Sequence, residues 1–220
     1  MSPITIPYTP PAEDAEILYT DDDLIVVNKS AGLLSVPGRG EDKQDCLITR
    51  IQDHYPDALI VHRLDLPTSG ILVLARSAET HRALSQLFQN REVSKEYTAV
   101  VSGIVLQQTG EINLPLITDW PNRPMQKVDY ETGKPSLTRY EILNTNKENH
   151  TTRLRLTPVT GRSHQLRVHL LSIGHVIIGD GLYSEIEEKK QQRLLLHANK
   201  IEFIHPCTHK FLSIECSCPF

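Results

Sequence analysis

Cysteine is scarce in this chain. Its four residues (Cys46, Cys207, Cys216 and Cys218) among 220 are too few for a disulfide-stapled scaffold. Long apolar runs are missing too, and no stretch approaches the roughly 20 residues that a membrane-spanning helix needs. The opening MSPITIPYTPPAEDAE has no basic start, apolar core or small-residue cleavage site, so export is not expected. Positive charge is not in excess either: 23 Lys and Arg face 27 Asp and Glu, a net charge of −4. That balance lacks the strongly basic footprint of a typical nucleic-acid binder. There is no internal repeat, no low-complexity tract and no linker that would separate two domains. What remains is a globular chain expected in the cytoplasm.

The composition, 39% apolar and 23% charged, is that of a folded domain. A chain of this length buries roughly 70% of the surface that its unfolded form exposes. The net charge hides an asymmetry. Residues 1–60 hold 4 basic against 11 acidic side chains, whereas residues 61–180 hold 14 against 11. Four prolines in the first fourteen residues predict a loosely ordered arm, with one domain over 15–220. EILYT (16–20) and LIVVNK (24–29), separated by three aspartates, predict a hairpin. Asp45 is a candidate cap for a helix over 46–55. ILVLA (71–75) reads as a strand buried on both faces, and Ser77 as the cap of a helix to about Asn90, with an apolar face of Ala83, Leu84, Leu87 and Phe88. Strands are expected over 95–103, in the loop-rich 110–135 region, and over 137–143, 152–159, 194–206 and 210–216. A helix over 164–172 is expected to use Leu166, Leu170, Leu171 and Ile173 as its apolar side and to stop at Gly174. Strands that outnumber helices and often follow one another directly predict an α+β fold with a large mixed, mostly antiparallel sheet, flanked by helices and loops.

The most informative segment is VHRLDLPTSGILVLAR, residues 61–76. It sets a carboxylate, Asp65, in a turn built from Pro67, Thr68, Ser69 and Gly70, immediately before the buried strand. A carboxylate held beside His62 and Arg63 suits a nucleophile or a base; an aspartate that merely caps its own turn is the alternative. The whole string resembles the catalytic motif of the RluA family of RNA pseudouridine synthases. Three further stretches resemble that family in the same order: GLLSVPG (32–38), KEYTAVVSG (95–103) and TGRSHQLRVHLLSIGHVIIGD (160–180). The likeness runs from about Glu16 to the C-terminus. It leaves no room for the N-terminal S4 RNA-binding domain that larger members carry.

This resemblance implies isomerisation of specific uridines to pseudouridine in 23S-type ribosomal RNA and transfer RNA stem-loops. It also implies an essential Asp65, no cofactor, no metal, no membrane association and no obligate protein partner, the chain acting as a monomer. The reaction breaks the C1′–N1 bond and rejoins the base through C5. Asp65 attacks either the ribose C1′ or the base C6, or assists loss of the C2′ hydrogen. An ionised carboxylate away from water needs a fixed cation. The resemblance assigns that role to Arg167, whose planar fork suits a bidentate grip. Tyr97 matches the family's active-site tyrosine, for stacking on uracil or for the final proton step; alone, it reads as a packed strand aromatic. Arg63 matches the residue that enters the RNA helix as the base leaves it. Arg123, Lys127 and Lys134 in the middle loops, with Arg162, His164 and Arg167 at a helix start, are candidate RNA contacts; a solvated charged loop is the alternative for the first three.

Four rival readings were weighed. His205, Cys207, His209, Cys216 and Cys218 lie within 14 residues and suggest zinc, but Cys-x-Cys departs from the usual spacing of structural sites. A kinase would need Asp directly after His-Arg, and a glycoside hydrolase a second carboxylate; neither pattern is present. The non-enzymatic rival is an RNA-binding or ribosome-assembly protein in which Asp65 is structural.

Overall fold

The computed structural model describes residues 8–184 and 193–220. The first half of the expected N-terminal arm, residues 1–7, lies outside the described residues. From Tyr8 to Ala15 the backbone has no regular structure. It is nevertheless tied down, because Arg50 donates to the carbonyls of Glu13 (2.9 Å) and Pro11 (2.8 Å). The chain divides into two compact units, Met1–Ser85 and Gln86–Phe220.

The first unit contains β1 (Glu16–Thr20), β2 (Leu24–Lys29), α1 (Leu47–Gln52), β3 (Leu59–Ile60) and β4 (Ser69–Ala75). β1 and β2 form the expected hairpin. Asp21 closes it by accepting the backbone N–H groups of Asp23 and Leu24 at 2.9 Å each. β2 then pairs with β4, as does β3, both antiparallel. All seven residues of β4 are buried, as a continuous apolar run predicts. The α1 cap differs from expectation. Cys46 occupies the N-cap and forms a capping box with Thr49, while Asp45 instead pairs with the Arg50 guanidinium at 2.6 Å. The same carboxylate takes both Nε and Nη2 of Arg50 side-on, at 2.6 and 2.8 Å.

α2 (Ala78–Asn90) spans the division between the units, and Ser77 caps it through the Thr80 N–H at 3.0 Å. The second unit holds β5 (Ser94–Ser102), β6 (Thr109–Asn113), β7 (Leu116–Thr118), β8 (Gln126–Val128), β9 (Leu137–Asn146), β10 (Thr151–Pro158), α3 (Gln165–Ser172), β11 (Leu196–Ile204) and β12 (Phe211–Glu215). Its sheet runs β12-β11-β5-β10-β9-β6, with every pair antiparallel, and β7 and β8 form a separate hairpin. The core lies on one face of this sheet, where Ala99, Val101, Leu154, Leu156 and Leu196 meet Leu166 and Leu170 of α3. Leu171 and Ile173, expected on the same apolar side, are each 38% exposed; Leu171 lies about 100° round the helix from Leu170, and Ile173 falls past the last helical residue, at the C-cap. Gly174, at φ +84°, ends the helix as predicted. The expected α+β fold with mostly antiparallel strands is the one that forms.

Candidate active site

Asp65 sits at the start of a turn. Its carbonyl accepts the Thr68 N–H at 3.0 Å, which leaves Leu66 and Pro67 at the corner. The residues on either side of Asp65 are held by the 29–35 segment. Ser35 Oγ donates to the Leu64 carbonyl at 2.8 Å and accepts the Leu64 N–H at 3.2 Å. The Leu66 carbonyl accepts from Gly32 N at 2.9 Å and from Lys29 Nζ at 3.3 Å. Lys29 is wholly buried and also donates to the carbonyls of Ser30 (2.9 Å) and Leu33 (2.7 Å). Its ammonium therefore spends its donors on main-chain oxygens, pinning the turn to the end of β2. His62 Nε2 accepts the Val73 N–H at 3.0 Å and ties the approach strand to β4. Within this frame Asp65 is half-buried and Arg63 exposed.

In the second unit Tyr97 lies mid-strand in β5, opposite Leu156 of β10 and Ala198 of β11. It packs, partly buried, against the core cluster. Arg167 is central to α3 and only 2% exposed. Its Nε and Nη2 donate to the two carboxylate oxygens of Asp180 at 2.8 and 2.7 Å, and its guanidinium lies 5.0 Å from the centre of the Tyr183 ring. The side-on edge of the fork, Nε and Nη2, is thus occupied by Asp180. Asp180 is itself buried and accepts the N–H groups of Leu182 and Tyr183, so each charge of this pair is matched. Gly179 makes the approach possible. At φ +78° it lies so close to the Arg193 and Leu194 backbone that a side chain has no room.

Tyr183 joins α3 to the β7–β8 hairpin: its hydroxyl accepts the Gln126 N–H at 2.8 Å and pairs with His164 Nδ1 at 2.8 Å. His164, the N-cap of α3, thus directs Nδ1 at Tyr183. Gln165 fixes the same helix end by donating to the Leu137 carbonyl and Thr138 Oγ1 and accepting from Thr160 and Arg162. Buried His169 bridges Thr138 and Ser136. Arg162 is exposed, as are Arg123, Lys127 and Lys134. The Arg123 guanidinium stacks 4.7 Å from the ring centre of Trp120, which is 65% exposed.

Of the cysteine and histidine cluster, His205 and Cys207 hold ligand atoms within 4.8 Å of each other. His205 Nδ1 accepts the N–H groups of Cys207 and Thr208 and so closes a turn. Among the described residues no group of three potential metal ligands includes His209, Cys216 or Cys218.

Comparison with known proteins agrees with this architecture. A family model described as RNA pseudouridylate synthase matches residues 23–172, and the chain belongs to that family. It is 49% identical over 215 residues to the "Dual-specificity RNA pseudouridine synthase RluA" of Escherichia coli K12, covering 97% of this chain and 98% of that protein. The protein of the same name from Vibrio parahaemolyticus is 48% identical over 218 residues, covering 97% and 87%. Among solved structures, human RNA pseudouridylate synthase domain containing 1 superposes with a TM-score of 0.79 at 27% identity over 96% of this chain and 87% of that one. Human RNA pseudouridylate synthase domain containing 4 shares the fold, with a TM-score of 0.74 at 24% identity over 93% and 88%. The reading of the chain as an RNA-acting isomerase, made from four short motifs, agrees with these relatives.

Proposed function

We propose that this protein isomerises uridine to pseudouridine in both ribosomal and transfer RNA, as a cytoplasmic monomer. The observation that carries the dual specificity is the 49% identity, over nearly the full length of both chains, to a relative named for it. In the reaction the C1′–N1 bond breaks, the base turns, C1′ bonds to C5, the C5 hydrogen leaves as a proton and N1 gains one. No electrons are transferred overall, so the step calls for a nucleophile, acid–base groups and positioning rather than a redox partner.

Asp65 is the essential carboxylate, Arg167 the cation that the motif pairs with its charge, and Tyr97 the residue on which the uracil rests and through which the closing proton passes. The main-chain bonds at Leu64 and Leu66 support the role of Asp65, because a reacting group must be held rigidly. Exposed Arg63 replaces part of the stacking that the extruded base gives up. Arg123, Lys127, Arg162 and His164 contact the RNA strands. The catalytic domain is the whole of residues 15–220.

RNA carrying tritium at uridine C5 tests this reading, because pseudouridine formation must release that hydrogen to water. Wild-type protein is expected to release it from bulk transfer and ribosomal RNA, and Asp65→Asn to fold normally while turning over about 10³-fold more slowly or worse. Equal release by the two proteins would show that Asp65 is structural.

A further inference from the structure

Ion pairs hold several of the cations in this molecule. Arg50, Arg76, Arg139, Arg155, Arg167 and Lys200 each meet a carboxylate. Lys95 makes no ion pair among the described residues, although it is not a solvated side chain. Its Nζ lies 5.8 Å from the centre of the Phe88 ring, and a methyl group on Gly161 would come within 3.8 Å of it. Burial pushes the Lys95 ammonium below the usual lysine range with no acid to offset the effect. An aliphatic residue here would be less costly to keep dry.

The position of Lys95 shows what such a cation is for. Alternation along β5 puts Lys95 and Tyr97 on one face, about 6–7 Å apart at twice the strand rise. That is the scale on which a nucleotide carries its base away from its phosphate. Beyond Leu156, the last β10 residue paired with β5, the chain turns through Thr160, Gly161 and Arg162 into α3. At Gly161, beside Lys95 Nζ, it presents backbone without a side chain.

We propose that Lys95 is a phosphate-binding residue, receiving a phosphodiester of the RNA next to the uridine held at Tyr97, with the Gly161–Arg162 turn as the other wall of the seat. The proposal rests on the functional reading above. An RNA substrate brings one kind of anion, its backbone phosphate, and that anion supplies the counter-charge that the folded chain omits. Seating it also fixes the ribose of the target nucleotide from its phosphate side while Tyr97 holds the base, which positions the C1′–N1 bond between them.

The test uses unfractionated transfer RNA labelled with tritium at C5, wild-type protein, Lys95→Met and Lys95→Arg. Filter binding is measured over a series of salt concentrations beside tritium release. Lys95→Met keeps the stem and removes the charge, and its thermal midpoint is expected to hold or rise. Its KM should rise about tenfold, the size of one charge-assisted contact, with kcat nearly unchanged. The slope of log binding constant against log salt should flatten by about 0.7–0.9, one phosphate's worth. Lys95→Arg should retain the wild-type slope. An unchanged slope for Lys95→Met overturns the proposal, as does a loss confined to kcat, which would make Lys95 a partner of Tyr97 instead. Wild-type protein that binds this RNA but releases no tritium would overturn the functional reading, while the slopes would still decide the role of Lys95.

Discussion

Lys29 ends a strand that opens with four apolar residues, LIVVNK, and is wholly buried, yet its ammonium is directed at three main-chain carbonyls. Without it, the Leu33 carbonyl loses a buried donor and the Ser30 and Leu66 carbonyls each lose a part-buried one. Lys29→Met is therefore expected to lower stability by about 2–3 kcal/mol, or about 5–10 °C in Tm for a chain of this size. It should also slow tritium release by loosening the turn that carries Asp65; a variant with wild-type melting and turnover would refute this role. The sequence motifs nominated Asp65, Tyr97 and Arg167 because those types recur in a recognisable string. They did not nominate Lys29, Ser35, Asp180 or Tyr183, whose importance lies in contacts made across many residues. Asp180 was within sight, as the Asp of the Gly-Asp that follows the helix, but only the folded chain shows the Arg167 fork resting on it. A lysine in an apolar strand was the one local clue to Lys29, since such residues are rarely buried without a partner.

Periodicity located the elements well where burial is one-sided. The β9–β10 pair follows its apolar pattern, α2 begins where Ser77 announces it, and β4, buried on both faces, is found instead by its continuous apolar run. Ser77→Ala removes the hydroxyl that holds the Thr80 N–H and should cost about 1 kcal/mol. Chemical denaturation with an unchanged urea midpoint would show that α2 does not depend on its cap. α1 and α3 were read less well for physical reasons. The Asp45 carboxylate was drawn to Arg50, leaving the cap to Cys46. α3 is fixed less by a continuous apolar stripe than by the polar network of Gln165 and His169, which hydrophobic spacing cannot reveal.

At the scale of the whole molecule, two buried histidines make stability depend on acidity. Burial holds His169 below the ordinary histidine range and pushes His197 down to about 4, with the nearby Arg193 charge adding to the shift. Both stay neutral in the folded chain while the unfolded chain takes up protons near pH 6.5. The unfolded state then binds more protons, so stability falls as pH drops from about 6.5 towards 4, by up to about 1.4 kcal/mol per pH unit for each site. Urea midpoints measured at pH 7.5, 6 and 5 should decline in that order, and His197→Gln should decline less steeply; a midpoint constant over the range would contradict the assignment. A different consequence follows from the β7–β8 hairpin. The chain has one tryptophan, and Trp120 lies largely in solvent beneath the Arg123 guanidinium. Its fluorescence is therefore a built-in reporter for this single loop. It will be nearly blind to unfolding, because the indole is already wet, and responsive to any base or phosphate that displaces the guanidinium, so that RNA arrival can be timed in a stopped-flow instrument without a label.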